Sequence, residues 1–472
     1  MTVTRADEDV WQAAVGQERH WAYHRRFPRA AGFNIPIASR IRGPLDAGRL
    51  VAAVHAVAQR HESLRATFRP TDSGLLQVLH GADSVPVEVH DLRRLPEPER
   101  AEELRRIGDA EASRPFDLAS EVPLRVHVVQ LGPEDHVLVV NVHHIAFDGW
   151  SSRVFYMDLD AQYRRLATSA RIDEPAQRYV DFARWQRRQV AAGRYQAELD
   201  YWLRELAEPA PALPWPQDGV DPAAEWWAGD MVWLDVPERL VAAAQQTALQ
   251  WRTTLFVVGL SAYQLALHRV TQASHVAVGT ALGGRTDRRW EDVVGFFVNT
   301  AVLDSRSSLD LTFREIVAAN HRRALGALSH QLVPFGVVVD ELSAPAAPGR
   351  TPLFQTMFLL QNYPPAMHRL GEADIHGGKL VTGSTRYDLT FSLDTLDGRL
   401  ALELENRPHL VSQDTAITVA REFFAVLGAG IDSPAEPVSR LRTRPVETTV
   451  HQRRGPASAV DELFGGLVAD WR

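Results

Sequence analysis

The run His143-His144-Ile145-Ala146-Phe147-Asp148-Gly149-Trp150-Ser151 gathers two imidazoles, a carboxylate and a hydroxyl around one glycine. Imidazole is the side chain whose ordinary pKa lets it exchange protons near neutral pH, so this run is the first place to look for acid–base chemistry. It follows residues 136–142, where Val137, Leu138, Val139, Val140 and Val142 spell a strand buried on both faces. Side chains alternate along a strand, so His143 and His144 are expected on opposite faces, with one imidazole reactive and the other structural. Two satisfied histidines at a strand end would be the plain alternative. His144 and Asp148 are four apart, but that spacing converges on a helix face whereas these residues leave a strand, and no third ligand is evident, so no metal is expected.

Other chemistry is narrowed by what the chain lacks. There is no cysteine, hence no thiolate nucleophile, disulfide or cysteine metal site. No Gly-x-Ser-x-Gly elbow occurs, so covalent catalysis has no obvious nucleophile. Lys379 is the only lysine, which nearly removes Schiff-base chemistry. A net charge of −8 argues against a general nucleic-acid binder. No apolar run approaches the ~20 residues of a membrane span. The acidic start, residues 1–9, lacks the apolar core of a signal peptide, and a cytoplasmic location is expected.

The elements that must position the run can be sketched. Residues 49–59 have apolar positions at helical spacing, and 125–130 with 136–142 form a hairpin across 132–135. Residues 151–166 read as a helix capped by Ser151 or Ser152, and 179–201 as a second, charge-rich helical region. A Pro/Ala-rich break at 208–222 is the linker candidate. Beyond it, 251–269 reads as an amphipathic helix, and 275–280 and 354–361 as strands. A loop at 343–350 separates the two strands. The end of the chain reads as a polar tail with a short apolar terminal helix. Two α/β halves of similar size place the site in the cleft between them.

The run resembles the His-His-x-x-x-Asp-Gly motif of nonribosomal peptide synthetase condensation domains, members of the chloramphenicol acetyltransferase-like superfamily. Further segments match the family in order. These are Gln17-Glu18-Arg19-His20-Trp21, with His20 where Leu or Met is usual, and the run from Arg60-His61-Glu62-Ser63 to Phe68. They continue with Tyr179-Val180-Asp181-Phe182-Ala183-Arg184-Trp185 and Gly295-Phe296-Phe297-Val298-Asn299-Thr300. His330-Gln331-Leu332-Val333-Pro334-Phe335 departs at Leu332 and Gly336, and only the end of the last motif survives, in Arg350-Thr351-Pro352-Leu353-Phe354. Trp150-Ser151 has the opposite order from epimerisation domains, and retained His143 differs from heterocyclisation domains.

The resemblance implies an α/β fold of two acetyltransferase-like halves in a V, with the active site in a tunnel between them. The expected division is 1–175, 176–222 for the connecting helix and linker, 223–443, and 444–472 for the tail. A floor loop is expected near 279–296 and a latch near 371–387. The implied reaction moves an acyl or aminoacyl group from a carrier-protein phosphopantetheine thioester to an amine or an alcohol. No cofactor is bound by the enzyme itself. The partners are a donor carrier protein and either a small acceptor or a second carrier. A free-standing, ester-forming enzyme, as in enediyne pathways, is one form of this expectation; a catalytically degenerate recruitment domain is the rival.

His144 is the expected catalytic group, as general base or as a positioning group, with Gly149 offering backbone N–H to the oxyanion. His143, Asp148 and Arg285 are expected to be structural, Asp148 and Arg285 as a buried pair. Trp150, Ser151 and Asn299 are candidate channel residues; Asn299 either lines the channel or satisfies backbone groups. Arg60, Glu62 and Arg65 are expected to hold the fold, and Tyr179, Asp181 and Trp185 to pack.

Overall fold

The computed structural model describes residues 10–167, 177–306, 310–344, 350–361, 369–396 and 399–453. Two sheets carry the chain. The first has six strands in the order Arg369–Leu370, Ala373–Lys379, Asn34–Arg42, Asp135–His143, Leu124–Gly132, Val87–Asp91. The second has seven, in the order Asn299–Arg306, His275–Leu282, Thr356–Leu360, Leu389–Leu396, Arg399–Asn406, Asp230–Asp235, Val450–Arg453. A small third sheet joins Val10–Gln12, Gly74–Leu79 and Ala66–Thr71.

The expected hairpin is present, with Leu124–Gly132 antiparallel to Asp135–His143. Its run of valines follows from the layers around it. Val137 and Val139 pack with Leu104 and Ile107 of the helix Glu97–Ser113. Leu138, Val140 and Val142 pack on the other face with Leu50 and Val54 of Ala47–Arg60 and Leu159 of Gly149–Leu166. With both faces covered, alternation of polar and apolar residues disappears.

Several expectations are corrected. The helix after the histidine run is Gly149–Leu166, and its cap is Asp148, not Ser151 or Ser152. A carboxylate one residue before the helix serves an orphan N–H as well as a serine does, and the sequence pattern could not separate them. The region 179–201 is two helices, Tyr179–Ala191 and Gln196–Glu205, broken where Gly193 takes a positive φ of 63°. The helix expected at 251–269 is Leu255–Thr271, and it is buried on nearly every side rather than amphipathic. It packs in the core of the second sheet with Phe391, Phe423 and Phe424. The linker candidate is anchored by buried Leu213 and Trp215, the indole N–H of Trp215 donating to Asp388 at 3.2 Å.

The chain also crosses itself. Ala373–Lys379, late in sequence, pairs antiparallel with Asn34–Arg42 and so extends the first sheet. Within the tail, Val450–Arg453 adds a strand beside Asp230–Asp235; the expected terminal helix lies outside the described residues. No helix among the described residues is long and apolar enough to cross a membrane.

Candidate active site

The end of strand Asp135–His143 feeds a single 3-10 turn, His144–Ala146, then the helix Gly149–Leu166. His143 is buried, and its Nδ1 accepts the backbone N–H of Ile145 at 3.1 Å. That bond makes it the clasp of the turn. His144 lies on the wall of a cavity of about 1140 Å³. Its own N–H donates to the carbonyl of Phe33 at 2.8 Å, which fixes where the ring starts.

The ring of His144 makes one hydrogen bond that decides its chemistry. Nδ1 lies 2.6 Å from the carbonyl of Phe147. A carbonyl only accepts, so Nδ1 carries the proton and Nε2 keeps its lone pair. Burial, and then the charge of Arg386, hold the imidazole down to about 4. Near neutral pH it is a neutral acceptor in one tautomer.

Asp148 is the reverse case. It is fully buried, and one oxygen accepts from the N–H of Ser151 at 2.8 Å, from Ser151 Oγ at 2.7 Å and from Arg285 at 3.0 Å. The other accepts from the N–H of Phe297 at 3.1 Å. Arg285 also donates to the carbonyls of Trp290 and Val293, and lies 3.9 Å over the Phe297 ring. Gly284 sets the turn into this arginine: its φ is +68°, and a Cβ there would collide with the Phe297 carbonyl. With its carboxylate so engaged, Asp148 is no ligand beside His144.

Ser151, expected to line the channel, does not. It is fully buried, its one hydroxyl proton is shared between Asp148 and the carbonyl of Gly295, and it accepts from Gly295 N–H and from Arg285. Helical geometry turns the third residue of the turn back onto its cap. Trp150 does reach the cavity, with its indole N–H on the carbonyl of Glu291 at 2.8 Å. Asn299 combines both expected roles. It borders the cavity, donates to the carbonyls of Gln331 and Val333, and accepts from the N–H groups of Thr300 and Phe335. Gly149 lines the cavity at the first turn of its helix. The N–H groups of Gly149 and Trp150 have no acceptor among the described residues, so this positive end of a helix is open.

The supporting motifs hold the fold partly through one another. Arg60 and His61 both meet Asp158, Glu62 accepts from the N–H of Val180, and Arg65 donates to the carbonyls of Ala58 and His80. Tyr179 donates to the carbonyl of Phe296, Asp181 caps its own helix, and Trp185 packs beside Trp290. Gln17 ties its helix to the histidine turn through the carbonyl of Ile145.

Three cavity groups escaped the sequence reading of the site. Arg386 lies 4.9 Å over the Phe33 ring and bears on His144. Glu405 sits on the same wall, where burial pushes its carboxyl up and Arg386 opposes that shift. His20 packs its ring 5.4 Å from that of His144, with its own pKa driven well down by burial. Only the unusual histidine at 20 had left a signal.

A family model described as "Condensation domain" matches residues 8–450. One polypeptide of the linear gramicidin synthase of Brevibacillus parabrevis is 34% identical over 433 residues, which is 91% of this chain and 8% of that polypeptide. The chain thus spans a small fraction of this relative's length. Among solved structures, the X-domain from teicoplanin biosynthesis superposes with a TM-score of 0.82 at 25% identity, over 94% of this chain and 99% of that one. The first condensation domain of the CDA synthetase gives a TM-score of 0.76 at 20% identity, over 93% and 99%, a likeness of fold.

Proposed function

The chain belongs to the condensation-domain family of nonribosomal peptide biosynthesis, which acts on carrier-bound thioesters, and from that premise we propose the reaction at His144. A donor carrier protein presents an acyl or peptidyl thioester on phosphopantetheine in the cavity. An amine acceptor attacks its carbonyl, the amide bond forms and the thiol leaves. His144 Nε2 accepts a hydrogen bond from the attacking nitrogen, takes its proton, and passes that proton on to the departing thiolate sulfur. The N–H groups of Gly149 and Trp150 face the oxyanion, in the role expected of Gly149.

The observation that carries this reading is the His144 tautomer, locked by the Phe147 carbonyl, with its lone pair at the cavity. A recruitment role alone would need no such lock. The low basicity favours an amine over an alcohol. A neutral amine attacks without losing a proton first, so a weak acceptor suffices; an alcohol must surrender its proton as it attacks and asks for a stronger base.

The test offers an acyl-loaded carrier with matched amine and alcohol acceptors, each free and carrier-bound, and reads products by mass spectrometry. Amide from the amine acceptors, with little ester, is expected. Ester from a free alcohol in preference to amide would replace this reading with the free-standing, ester-forming one. No turnover with any donor–acceptor pair, by protein that binds the carriers, would favour recruitment.

A further inference from the structure

We propose that Glu88, His90 and His127 form a binding site for a zinc-class divalent cation, apart from the acyl-transfer cavity. The strands Val87–Asp91 and Leu124–Gly132 run parallel, and Glu88 stands in register with His127. His90 is two residues further along, so all three side chains leave the same face of the sheet. The donor atoms converge. His90 Nε2 lies 3.1 Å from His127 Nδ1. Glu88 Oε2 lies 3.7 Å from His90 Nε2 and 3.8 Å from His127 Nδ1.

Those separations match a coordination sphere. Zinc bonds of ~2.0–2.1 Å in tetrahedral geometry put ligand atoms about 3.4 Å apart. Two imidazoles and one carboxylate are a zinc-type donor set, and the exposed Glu88 leaves a side open for water as the fourth ligand. The ring of His127 is already oriented for the task. Its Nε2 donates to Glu111 at 3.1 Å, leaving Nδ1 as a lone pair toward His90 and Glu88. Glu111 is buried and held by Arg125 and Asn141, both at 2.7 Å. A carboxylate behind a ligating imidazole is the usual way a metal site fixes its tautomer.

None of the three residues lines the cavity at His144. Strand Val87–Asp91 is the edge of its sheet, so a cation here would tie the edge to its neighbour and, through Glu111, to the helix Glu97–Ser113. Stability, not acyl transfer, is the property it would change.

The experiment titrates the chelator-stripped full chain with Zn²⁺ by calorimetry, and with Co²⁺ read by its visible absorption. Glu88→Gln and His90→Ala are compared with wild type. His127 also holds Glu111, so the more exposed pair is mutated. Wild type is expected to take up one equivalent at least about tenfold more tightly than either variant, with a rise in Tm that both variants lose. Equal uptake by all three proteins overturns the site. So does a wild type that takes up no Zn²⁺, which would leave His90 and His127 joined by an ordinary hydrogen bond.

Discussion

His144 and Asp148 come from one short run, yet the fold treats them in opposite ways. Around Asp148 both oxygens are engaged: Ser151, Arg285 and Phe297 all donate to it, Asp148 is fully buried and the Arg285 side chain is nearly so. Around His144 one nitrogen is tied and the other is left for the cavity. A buried cluster whose donors and acceptors meet one another fixes position, because losing one member leaves an unpaired polar group. An unsaturated group at a cavity wall is available to substrate. The clamp also joins the histidine loop to residues 285–297, and so ties the turn that carries His144 to the segment that brings Phe296 and Phe297 to the cavity.

Removing the open group should give the largest effect. His144→Ala is expected to lower product formation by ~10²–10⁴-fold while Tm stays near wild type. Single-turnover transfer from a loaded carrier, with a melting curve alongside, is the measurement. Near-normal turnover by the folded variant would take His144 out of the chemistry.

Removing part of the clamp should act on stability first. Asp148→Ala or Arg285→Ala leaves a buried charge without its partner, which costs about 3–5 kcal/mol. The double variant should cost less than the sum of the two, because the second change removes the group stranded by the first. Urea unfolding of the four proteins checks this; strict additivity would mean the two side chains do not act together. Arg285→Lys should not rescue, since lysine cannot reach Asp148, Ser151 and two carbonyls with one planar fork.

The two regions also differ in how far they can be read from the sequence. The histidine run is local, and its strand, turn and glycine announce themselves by spacing. Asp148–Arg285 comes only through the family resemblance, since 137 residues separate the partners. Ser151 defeats the pattern because a serine early in a helix suits several roles, and only the depth of the clamp chooses among them. The helix Leu255–Thr271 defeats it because its surroundings, not its own pattern, bury its polar-looking face: Ser261 and Gln264 are met by Asn320. The pairing of Ala373–Lys379 with Asn34–Arg42 leaves no local trace, and neither does Arg386 just beyond it. Convergence of distant segments is what a single sequence hides.

Arg386 offers the finest test of the contrast. It lowers His144 by its charge, second to burial, and no hydrogen bond joins the two among the described residues. Arg386→Gln should therefore raise the His144 pKa from about 4, toward the ordinary 6.5. The sign follows from which state takes the proton. Between pH 6.5 and about 4 the unfolded chain protonates this histidine before the folded one, so its contribution to stability is complete above 6.5 and is lost as pH falls through 4. Raising the folded pKa shortens that loss. The stability curve is shared with His20 and His143, whose pKa values burial also drives down, so melting alone would not isolate His144. The pH dependence of kcat/KM does isolate it, because it reports the free enzyme's base. In wild type the acid limb should fall near pH 4, leaving activity flat through neutrality as far as this group is concerned. In Arg386→Gln the limb should move to higher pH at an unchanged plateau order of magnitude. An unmoved limb would mean that the charge of Arg386 does not set the base, and that burial alone keeps His144 neutral.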